Sequence, residues 1–291
     1  MIAALSEFGR LGRVLVKHAR EAFVSDEQIA AQWQRLNYSA PPDFSRALGE
    51  YDRFLEIVAG SGAEILHLRH DAAVNLDSIY TRDASVLSVE GVILCSMGKK
   101  ARAAEPAAQD VELRRQGSRI AGSIAPPGLL EGGDLIWLDL RTVVVGEGRR
   151  TNAEGIRQLR TLLADSIDEP IVVPLPEYPG QHDVMHLMSL ISPVDKDLAV
   201  VYPRLLPVRF RTALLERGYR LVEVPDAEFD SMGTNVLALA PRECVMLNGN
   251  PRTRASLERA GAAVHAYDGV EISLKGGGGP TCLTRPLARA E

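Results

Sequence analysis

The sequence is poor in cysteine, in aromatic residues and in long apolar runs, and each shortage excludes a class of protein. Its three cysteines, at positions 95, 244 and 282, form no CxxC pair and no even disulfide framework. No apolar run approaches the roughly 20 residues needed to span a bilayer. The N-terminus lacks the basic-then-apolar layout of a signal peptide. We therefore expect a reduced, cytoplasmic protein that does not interact with membranes.

The sequence also lacks a large excess of charge of either sign. The 291 residues include 33 basic and 38 acidic side chains, which gives a formal net charge of −5 and no reason to expect a nucleic acid partner. The chain carries neither a phosphate-binding loop nor a dinucleotide fingerprint, so no cofactor is expected. A hydrophobic content of 46% is typical of a globular protein with a sizeable core. The sequence leaves open whether the protein is a homo-oligomer.

What is present is a repeat. From residue 83 onward, two strands, a helix and a third strand recur about every 50 residues, a period typical of a propeller or an array. The predicted first strands of the units cover residues 83–89, 134–140, 184–191, 235–239 and 282–284. The last unit ends with the chain, and the N-terminal strand over 13–17, the helix over 44–58 and the strand over 63–68 supply what it lacks. We predict one α/β domain over residues 1–291, a five-bladed propeller of strand–strand–helix–strand repeats with pseudo-fivefold symmetry.

One polar residue stands near the start of each predicted first strand, at intervals of 47 to 55 residues: Asp83, Glu131, His186, Asn235 and Cys282. In a ring with approximate rotational symmetry, equivalent positions converge on the axis, so these side chains would meet in one central pocket. Singly, each has a plainer interpretation. Glu131 could cap a turn, His186 could be a core histidine, Asp83 could pair with Arg82, and Cys282 could be incidental in a flexible tail. A polar insertion at about 25–43 is predicted as a lid over the pocket.

The inventory of the pocket constrains its chemistry. A thiol beside an imidazole provides a nucleophile with a proton donor and acceptor. Two carboxylates would disfavour the thiolate unless a cation lies between them. The mixed residue types without close ligand spacing are a poor zinc pattern, so no metal is expected. A planar guanidinium fits better, because its donors match carboxylates and its charge lowers the pKa of the thiol.

The sequence contains five longer motifs, four of which include residues of the predicted pocket: Asn75-Leu-Asp-Ser-Ile-Tyr-Thr-Arg-Asp83, Leu130-Glu-Gly-Gly-Asp134, Gly146-Glu-Gly-Arg-Arg-Thr-Asn152, His186-Leu-Met-Ser189 and Gly276-Gly-Gly-Gly-Pro-Thr-Cys282. Together they resemble the guanidino-group-modifying enzymes, a superfamily that includes arginine deiminases, dimethylarginine dimethylaminohydrolases and amidinotransferases. The resemblance runs from about residue 10 to the C-terminus. The resemblance implies a five-bladed α/β propeller, in agreement with the repeat.

The resemblance also implies roles. Cys282 is similar to the nucleophile and His186 to the general acid/base, with Glu131 beside it. Asp83 and Glu131 resemble the carboxylates that hold the guanidinium. Asp77 resembles another acid that contacts the substrate. Arg102 and Arg150 resemble the arginines that bind the α-carboxylate of the substrate, although Arg102 could equally lie on a solvated helix face.

Two departures bear on the subfamily. Arginine deiminases and amidinotransferases typically carry an acid two residues after the histidine, where this chain has Met188. The dimethylarginine hydrolases also lack this acid, so the departure favours them. Conversely, those hydrolases often have Glu-Asp where this chain has Arg82-Asp83, a dipeptide that is more like the one in the deiminases. We expect a dimethylargininase-like, cysteine-dependent hydrolase of the guanidino group of free arginine or an N-methylated arginine that forms citrulline and an amine. Arginine deiminase, amidinotransferase and citrulline hydrolase are the alternatives among enzymes. An arginine-binding protein without activity is the alternative outside enzymes.

Overall fold

The structure, a computed structural model, describes residues 5–164, 166–177 and 185–290 and folds them into a mixed α/β arrangement containing five three-stranded sheets. The strands are β1 (Arg10–Val16), β2 (Glu64–His67), β3 (Ser85–Ser88), β4 (Gly91–Leu94), β5 (Ile120–Ser123), β6 (Leu135–Trp137), β7 (Val143–Glu147), β8 (Ile171–Pro174), β9 (Ile191–Asp195), β10 (Leu198–Val201), β11 (Arg220–Glu223), β12 (Leu237–Ala240), β13 (Glu243–Leu247), β14 (Ala263–Tyr267) and β15 (Thr284–Ala290). The helices are α1 (Ala19–Ala22), α2 (Asp26–Gln32), α3 (Phe44–Gly60), α4 (Glu105–Arg115), α5 (Ala153–Leu163), α6 (Val208–Glu216) and α7 (Pro251–Arg259).

All five sheets share one pattern. The middle strand is antiparallel to the strand before it and parallel to the strand after it, as in β3–β4–β5 and β12–β13–β14. A parallel pair needs a crossover connection, and the helix between the second and third strands provides it. The fifth sheet has the order β15–β1–β2, so the two ends of the chain pair with each other. This confirms that the N-terminal strands complete the last repeat.

Neighbouring sheets contact each other in chain order. Strand β15 contacts β3, β9 contacts β12, and β12 contacts β1. Between the sheets of β3 and β6, the indole Nε1 of Trp137 donates to the Leu87 carbonyl at 3.1 Å. The sheet of β6 is tied to the segment before β9 because the Leu187 N–H donates to Asp134 Oδ1 at 2.9 Å.

Helix α3 forms where the sequence provides both a cap and an apolar face. In α3, the Asp43 side chain accepts the Arg46 N–H at 2.9 Å and caps the first turn. Its buried face carries Ala47, Tyr51, Phe54 and Val58, at the spacing of an amphipathic helix. Tyr51 and Phe54 meet edge to face with their ring centroids 5.8 Å apart. Burying such a ring contributes roughly 1.5–3 kcal/mol.

Two sequence predictions need correction. The strand predicted over 184–191 is wrong: residue 184 lies outside the described residues, Leu187–Ser189 is a turn of 3₁₀-helix, and the strand begins at Ile191. The strand predicted from residue 282 begins instead at Thr284. Across the described part of the chain, no helix combines the length and apolar character needed to cross a membrane.

Candidate active site

The five polar residues that recur at intervals of 47 to 55 residues lie in the turns just before the first strand of each sheet. Asp83, Glu131, His186, Asn235 and Cys282 precede β3, β6, β9, β12 and β15, respectively. Four of them line one cavity of about 690 Å³, and Glu131 lies fully buried behind His186. Asp77, Arg102 and Arg150 line the same cavity. The structure therefore brings every residue selected from the sequence into the cavity or directly against it.

The glycine run before Cys282 is explained by close packing. A Cβ on Gly276 would lie 2.0 Å from the Tyr80 hydroxyl, and one on Gly278 would lie 2.4 Å from Cε1 of the same ring. Gly277 has a φ of +81°, which side chains rarely adopt. Tyr80 Oη donates to the Ile272 carbonyl at 3.2 Å, which fixes the ring against the loop. The run is therefore a fitted loop rather than a flexible tail.

Cys282 is held by Asn235 and its own turn. Asn235 Nδ2 lies 3.5 Å from Cys282 Sγ, and Asn235 Oδ1 accepts the N–H and the hydroxyl of Thr281 at 3.0 and 2.9 Å. Burial and the carboxylate of Asp83 raise the pKa of Cys282, while the contacts with Thr281 and Asn235 oppose the rise. The resting side chain is therefore a thiol at neutral pH, as the sequence led us to expect. Cys95 and Cys244 are buried in the core, outside this cavity.

His186 lies between two carboxylates. Its Nε2 is 2.8 Å from Glu131 Oε2, and its Nδ1 is 3.8 Å from Asp83 Oδ1. Gly133 makes this approach possible, because a Cβ there would lie 2.7 Å from Asp83 Oδ1 and 2.8 Å from the imidazole Cγ. Burial lowers the pKa of His186, but the carboxylates of Asp83, Asp134 and Glu131 outweigh it and raise the pKa to about 9. The imidazole is therefore protonated at neutral pH.

The two carboxylates beside His186 have arginine partners. Arg102 Nη1 lies 2.5 Å from Asp83 Oδ2, and Arg150 Nη1 lies 2.8 Å from Glu131 Oε2. Burial raises the pKa of Asp83 and of Glu131, but these cations and His186 outweigh burial and hold both pKa values below the usual range. Both carboxyl groups are therefore ionised. The alternative in which Asp83 pairs with Arg82 is not what the structure shows, since Arg82 pairs with Glu7 at 3.2 Å.

Arg102 extends this network away from the cavity. Its Nε and Nη2 donate to the two oxygens of Glu105, each at 2.8 Å, and its Nη2 also donates to the Tyr80 carbonyl at 2.9 Å. Burial raises the pKa of Glu105 to about 7 against the charge of Arg102. Arg102 is 4% exposed, so the alternative of a solvated helix face does not hold. The three-residue spacing of Arg102 and Glu105 was the sequence signal for this pair, and our sequence reasoning missed it.

Lys99 is a second residue that the sequence did not reveal. Its Nζ lies 3.0 Å from Asp77 Oδ2 and donates to the Leu36 carbonyl at 2.9 Å. Its backbone N–H donates to Glu131 Oε1 at 3.0 Å. Lys99 thus connects the acid predicted to contact substrate, the acid behind His186 and the predicted lid. Nothing in the local sequence distinguishes it from a surface lysine.

Asp83, Glu131 and His186 each present one ligand atom within 4.8 Å of the others, which is compact enough for a metal ion. A metal would require a deprotonated imidazole and carboxylates free of competing cations. Here the imidazole has a raised pKa, and Arg102 and Arg150 already pair with the two acids. The donor set therefore fits a network of paired charges better than a metal site.

The sequence profile of the arginine deiminase family matches residues 75–212 and 206–289, more than half of the chain. The chain belongs to the arginine deiminase family. This family member is 29% identical to the arginine deiminase of Rhodococcus erythropolis over 331 aligned residues, covering 99% of this chain and 77% of the relative. It is 26% identical over 286 residues to the uncharacterized protein YkgA of Bacillus subtilis, covering 98% and 95% of the two chains.

Solved structures with the same fold include other members of the guanidino-modifying superfamily. The DDAH of Pseudomonas aeruginosa, in complex with citrulline, superposes with a TM-score of 0.73 and 21% identity over 94% of this chain and 98% of that one. SxtG, an amidinotransferase from Microseira wollei, superposes with a TM-score of 0.80 and 15% identity over 100% and 98% of the two chains. At these identities the likeness establishes the fold of this arginine deiminase family member.

Proposed function

We propose that this protein is a cysteine-dependent hydrolase that converts a free, N-methylated arginine to citrulline and an amine. One observation carries the proposal: Cys282 faces the same cavity as His186 and Asp83, and the imidazole is paired with Glu131 at 2.8 Å. A thiol, a protonated imidazole and ionised acids in one cavity match attack on a cationic, planar carbon. No other group of residues in the described chain combines these elements in a cavity.

The guanidinium would be held mainly by Asp83, with Asp77 contacting the rest of the substrate. Both line the cavity. Glu131 does not line the cavity. Its carboxylate oxygens are hydrogen-bonded to His186, Arg150 and the Lys99 N–H. We therefore propose that Glu131 acts on the substrate through His186. A substrate α-carboxylate that binds Arg102 or Arg150 would share these side chains with their protein partners.

In the reaction, the positive charge of the bound substrate would lower the pKa of Cys282, so that the thiol loses its proton to solvent and the thiolate attacks the guanidinium carbon. The carbon–nitrogen bond to the substituted amine breaks, and protonated His186 donates a proton to that nitrogen as it leaves. The covalent S-alkylthiouronium then reacts with water, from which His186 removes a proton, and Cys282 leaves as citrulline forms. One water is consumed for each amine released.

The preference for a methylated substrate rests on Met188. Its side chain lines the cavity and is 3% exposed. An acid at this position would accept charge-assisted hydrogen bonds from an unsubstituted guanidinium, each contributing roughly 1.5–3 kcal/mol. A thioether accepts such bonds poorly, but it packs against methyl groups, each contributing about 0.8 kcal/mol.

Product analysis tests the proposal. With water as the sole acceptor, release of methylamine or dimethylamine from a methylated arginine supports it, and ammonia from arginine alone indicates an arginine deiminase. Turnover only with an acceptor amine indicates an amidinotransferase, and release of ammonia from citrulline indicates a citrulline hydrolase. Cys282→Ala should abolish turnover, whereas Cys244→Ala, in the core, should retain it. Arginine binding without turnover by the unmodified protein would identify a binding protein.

We also propose that the five sheets close into a five-bladed propeller around the cavity, as one domain covering residues 1–291. The contacts of β12 with β1 and the pairing of β1 with β15 support a closed ring. A single cooperative unfolding transition, coincident by fluorescence and circular dichroism, is the expected result. Separate transitions for the two halves would contradict one domain.

The lid proposal concerns residues 25–43. Trp33 and Tyr38 line the cavity, and the segment is tied to the glycine loop by Lys275, whose Nζ donates to the Pro41 carbonyl at 3.0 Å and whose carbonyl accepts the Ser39 N–H at 2.8 Å. We propose that this segment covers bound substrate. Citrulline should then change the fluorescence of Trp33, a change that Trp33→Phe removes and that the other tryptophan does not produce.

A further inference from the structure

A second cavity adjoins the ion pair between Arg102 and Glu105. It has a volume of about 260 Å³ and lies between the loop over residues 68–74 and the face of α4 that carries Glu105, Ala108 and Glu112 at helical spacing. Glu105 lines this α4 cavity, and its partner Arg102 lines the candidate active-site cavity. The two cavities share no lining residue, so the proposed reaction does not use the α4 cavity.

Lys17 presents its ammonium group to the α4 cavity. The residue is 2% exposed and lines the cavity. Within the described residues its Nζ forms no hydrogen bond or ion pair, yet Nζ is not sealed in the core as two side-chain nitrogens of Arg289 are. The small exposed part of Lys17 therefore includes Nζ, while its stem is buried. Burial lowers the pKa of Lys17, and the carboxylates of Glu105, Asp71 and Glu21 oppose the fall, the first two from the walls of the same cavity.

Asp71 provides a charge of the opposite sign in the same cavity. Its Oδ1 accepts the Ala73 N–H at 2.8 Å, and in the part of the chain that the structure describes its carboxylate forms no ion pair. Glu105 differs, because both of its oxygens accept from Arg102 at 2.8 Å. Asp71 is near enough to Lys17 to act on its charge, but the two side chains do not pair with each other. The α4 cavity thus presents one cation and one anion, and neither has an ion-pair partner.

The remaining walls limit the size and charge of a ligand. Glu112 and Arg115 pair with each other at 2.5 Å, and the side chains of Leu68, Val74 and Ala108 add apolar surface. A volume of 260 Å³ equals that of about eight or nine water molecules in the liquid. The cavity therefore suits a molecule of about eight non-hydrogen atoms. The acids that line it would repel a polyanion such as phosphate.

We propose that the α4 cavity is a second ligand site that binds a small neutral α-amino acid. The ligand carboxylate would pair with Lys17 and its ammonium with Asp71, while its side chain contacts the apolar wall. A zwitterion supplies both charges in one molecule, whereas water would leave the buried ammonium without a counter-ion. The ion pairs of Arg102 with Glu105 and with Asp83 connect this site to the candidate active site.

Thermal unfolding of the intact chain tests the proposal without reference to activity. The probes are L-alanine, L-valine and L-leucine, and the one that fits should raise the melting temperature by about 5 °C at about a hundredfold its dissociation constant. Isovalerate and isobutylamine are the matched controls, because each keeps the valine skeleton and one of its two charges. Each should bind at least about tenfold more weakly than L-valine. No rise with any of the three amino acids, or isovalerate binding as tightly as L-valine, would overturn the proposal.

Variants locate the binding site. Asp71→Asn should lose the rise, since the amide keeps an acceptor for the Ala73 N–H but removes the charge. Asp168→Asn is the control and should keep the rise, because Asp168 is exposed and pairs with Arg141 at 2.5 Å. Lys17→Met keeps the length of the buried stem and should also lose the rise; if it does not fold, Asp71→Asn decides alone. A rise that persists in Asp71→Asn would assign the amino acid to the candidate active site instead, and an equal loss in both aspartate variants would also contradict the proposal.

Discussion

Replacing Glu131 by glutamine tests the link between the buried acid and the proton on His186. The two side chains are 2.8 Å apart, and Glu131 is fully buried. A charge-assisted hydrogen bond contributes about 1.5–3 kcal/mol, which corresponds to about 1–2 pKa units. The pKa of His186, about 9 in the intact protein, should therefore fall to about 7–8 in Glu131→Gln. Asp83 and Asp134 remain and keep it above the ordinary value.

The measurement is an NMR titration of the imidazole signals between about pH 5 and pH 10, with the His186 signal assigned by its loss in His186→Gln. Glu258→Gln is the matched control, since Glu258 is exposed and pairs with Arg254 at 2.9 Å on α7. It should leave the titration of His186 unchanged. An unaltered His186 pKa in Glu131→Gln would refute the role assigned to this acid.

The same pKa makes stability depend on pH. The folded pKa of His186, about 9, lies above its ordinary value of 6.5. Its contribution to the free energy of unfolding is therefore complete below pH 6.5 and is lost as the pH rises through 9. The contribution is at most about 3 kcal/mol. Urea unfolding at either end of this window should show the loss in the intact protein and a smaller loss in His186→Gln.

Three further predictions address the reacting groups. Gly133→Ala would place a Cβ 2.7 Å from Asp83 Oδ1, so kcat/KM should fall by about 100-fold or more. The control Gly148→Ala should retain activity, because its Cβ would meet no atom closer than 3.6 Å. Equal activity in the two variants would contradict the close packing at Gly133. Because the pKa of Cys282 is raised, the rate of its alkylation by iodoacetamide should increase above about pH 8.5 and should exceed the rate with iodoacetate. A rate that is already constant at low pH, with iodoacetate reacting faster, would indicate a resting thiolate–imidazolium pair instead. Met188→Asp should shift the ratio of kcat/KM for methylated arginine over arginine towards arginine by about tenfold or more, and a loss of stability with an unchanged ratio would assign Met188 to the core alone.

The repeat and its phase were readable in the sequence because both are local. Alternation of apolar residues, helix periodicity and turn residues recur at a nearly constant interval, and the incomplete last unit requires the N-terminal strands to finish it. The prediction that β1 and β15 belong to one sheet followed from this counting alone. The five in-phase polar residues followed in the same way, since equivalent positions of a repeat occupy equivalent places in space.

Only the tertiary structure decided how the charges are paired. Arg102 divides its donors between Asp83 and Glu105, and Lys99 joins Asp77 to the lid. The Arg285 side chain donates to the Arg82 carbonyl, which lies 203 residues away in the sequence. Apart from Arg102 and Glu105, which are three residues apart, these pairings have no signature in the local sequence, because each joins segments that are remote along the chain. The pKa values of Cys282 and His186 depend on the same distances and on burial. Composition and spacing therefore indicate which groups meet. The protonation state of those groups depends on their burial and on the neighbouring charges, which only the folded chain determines.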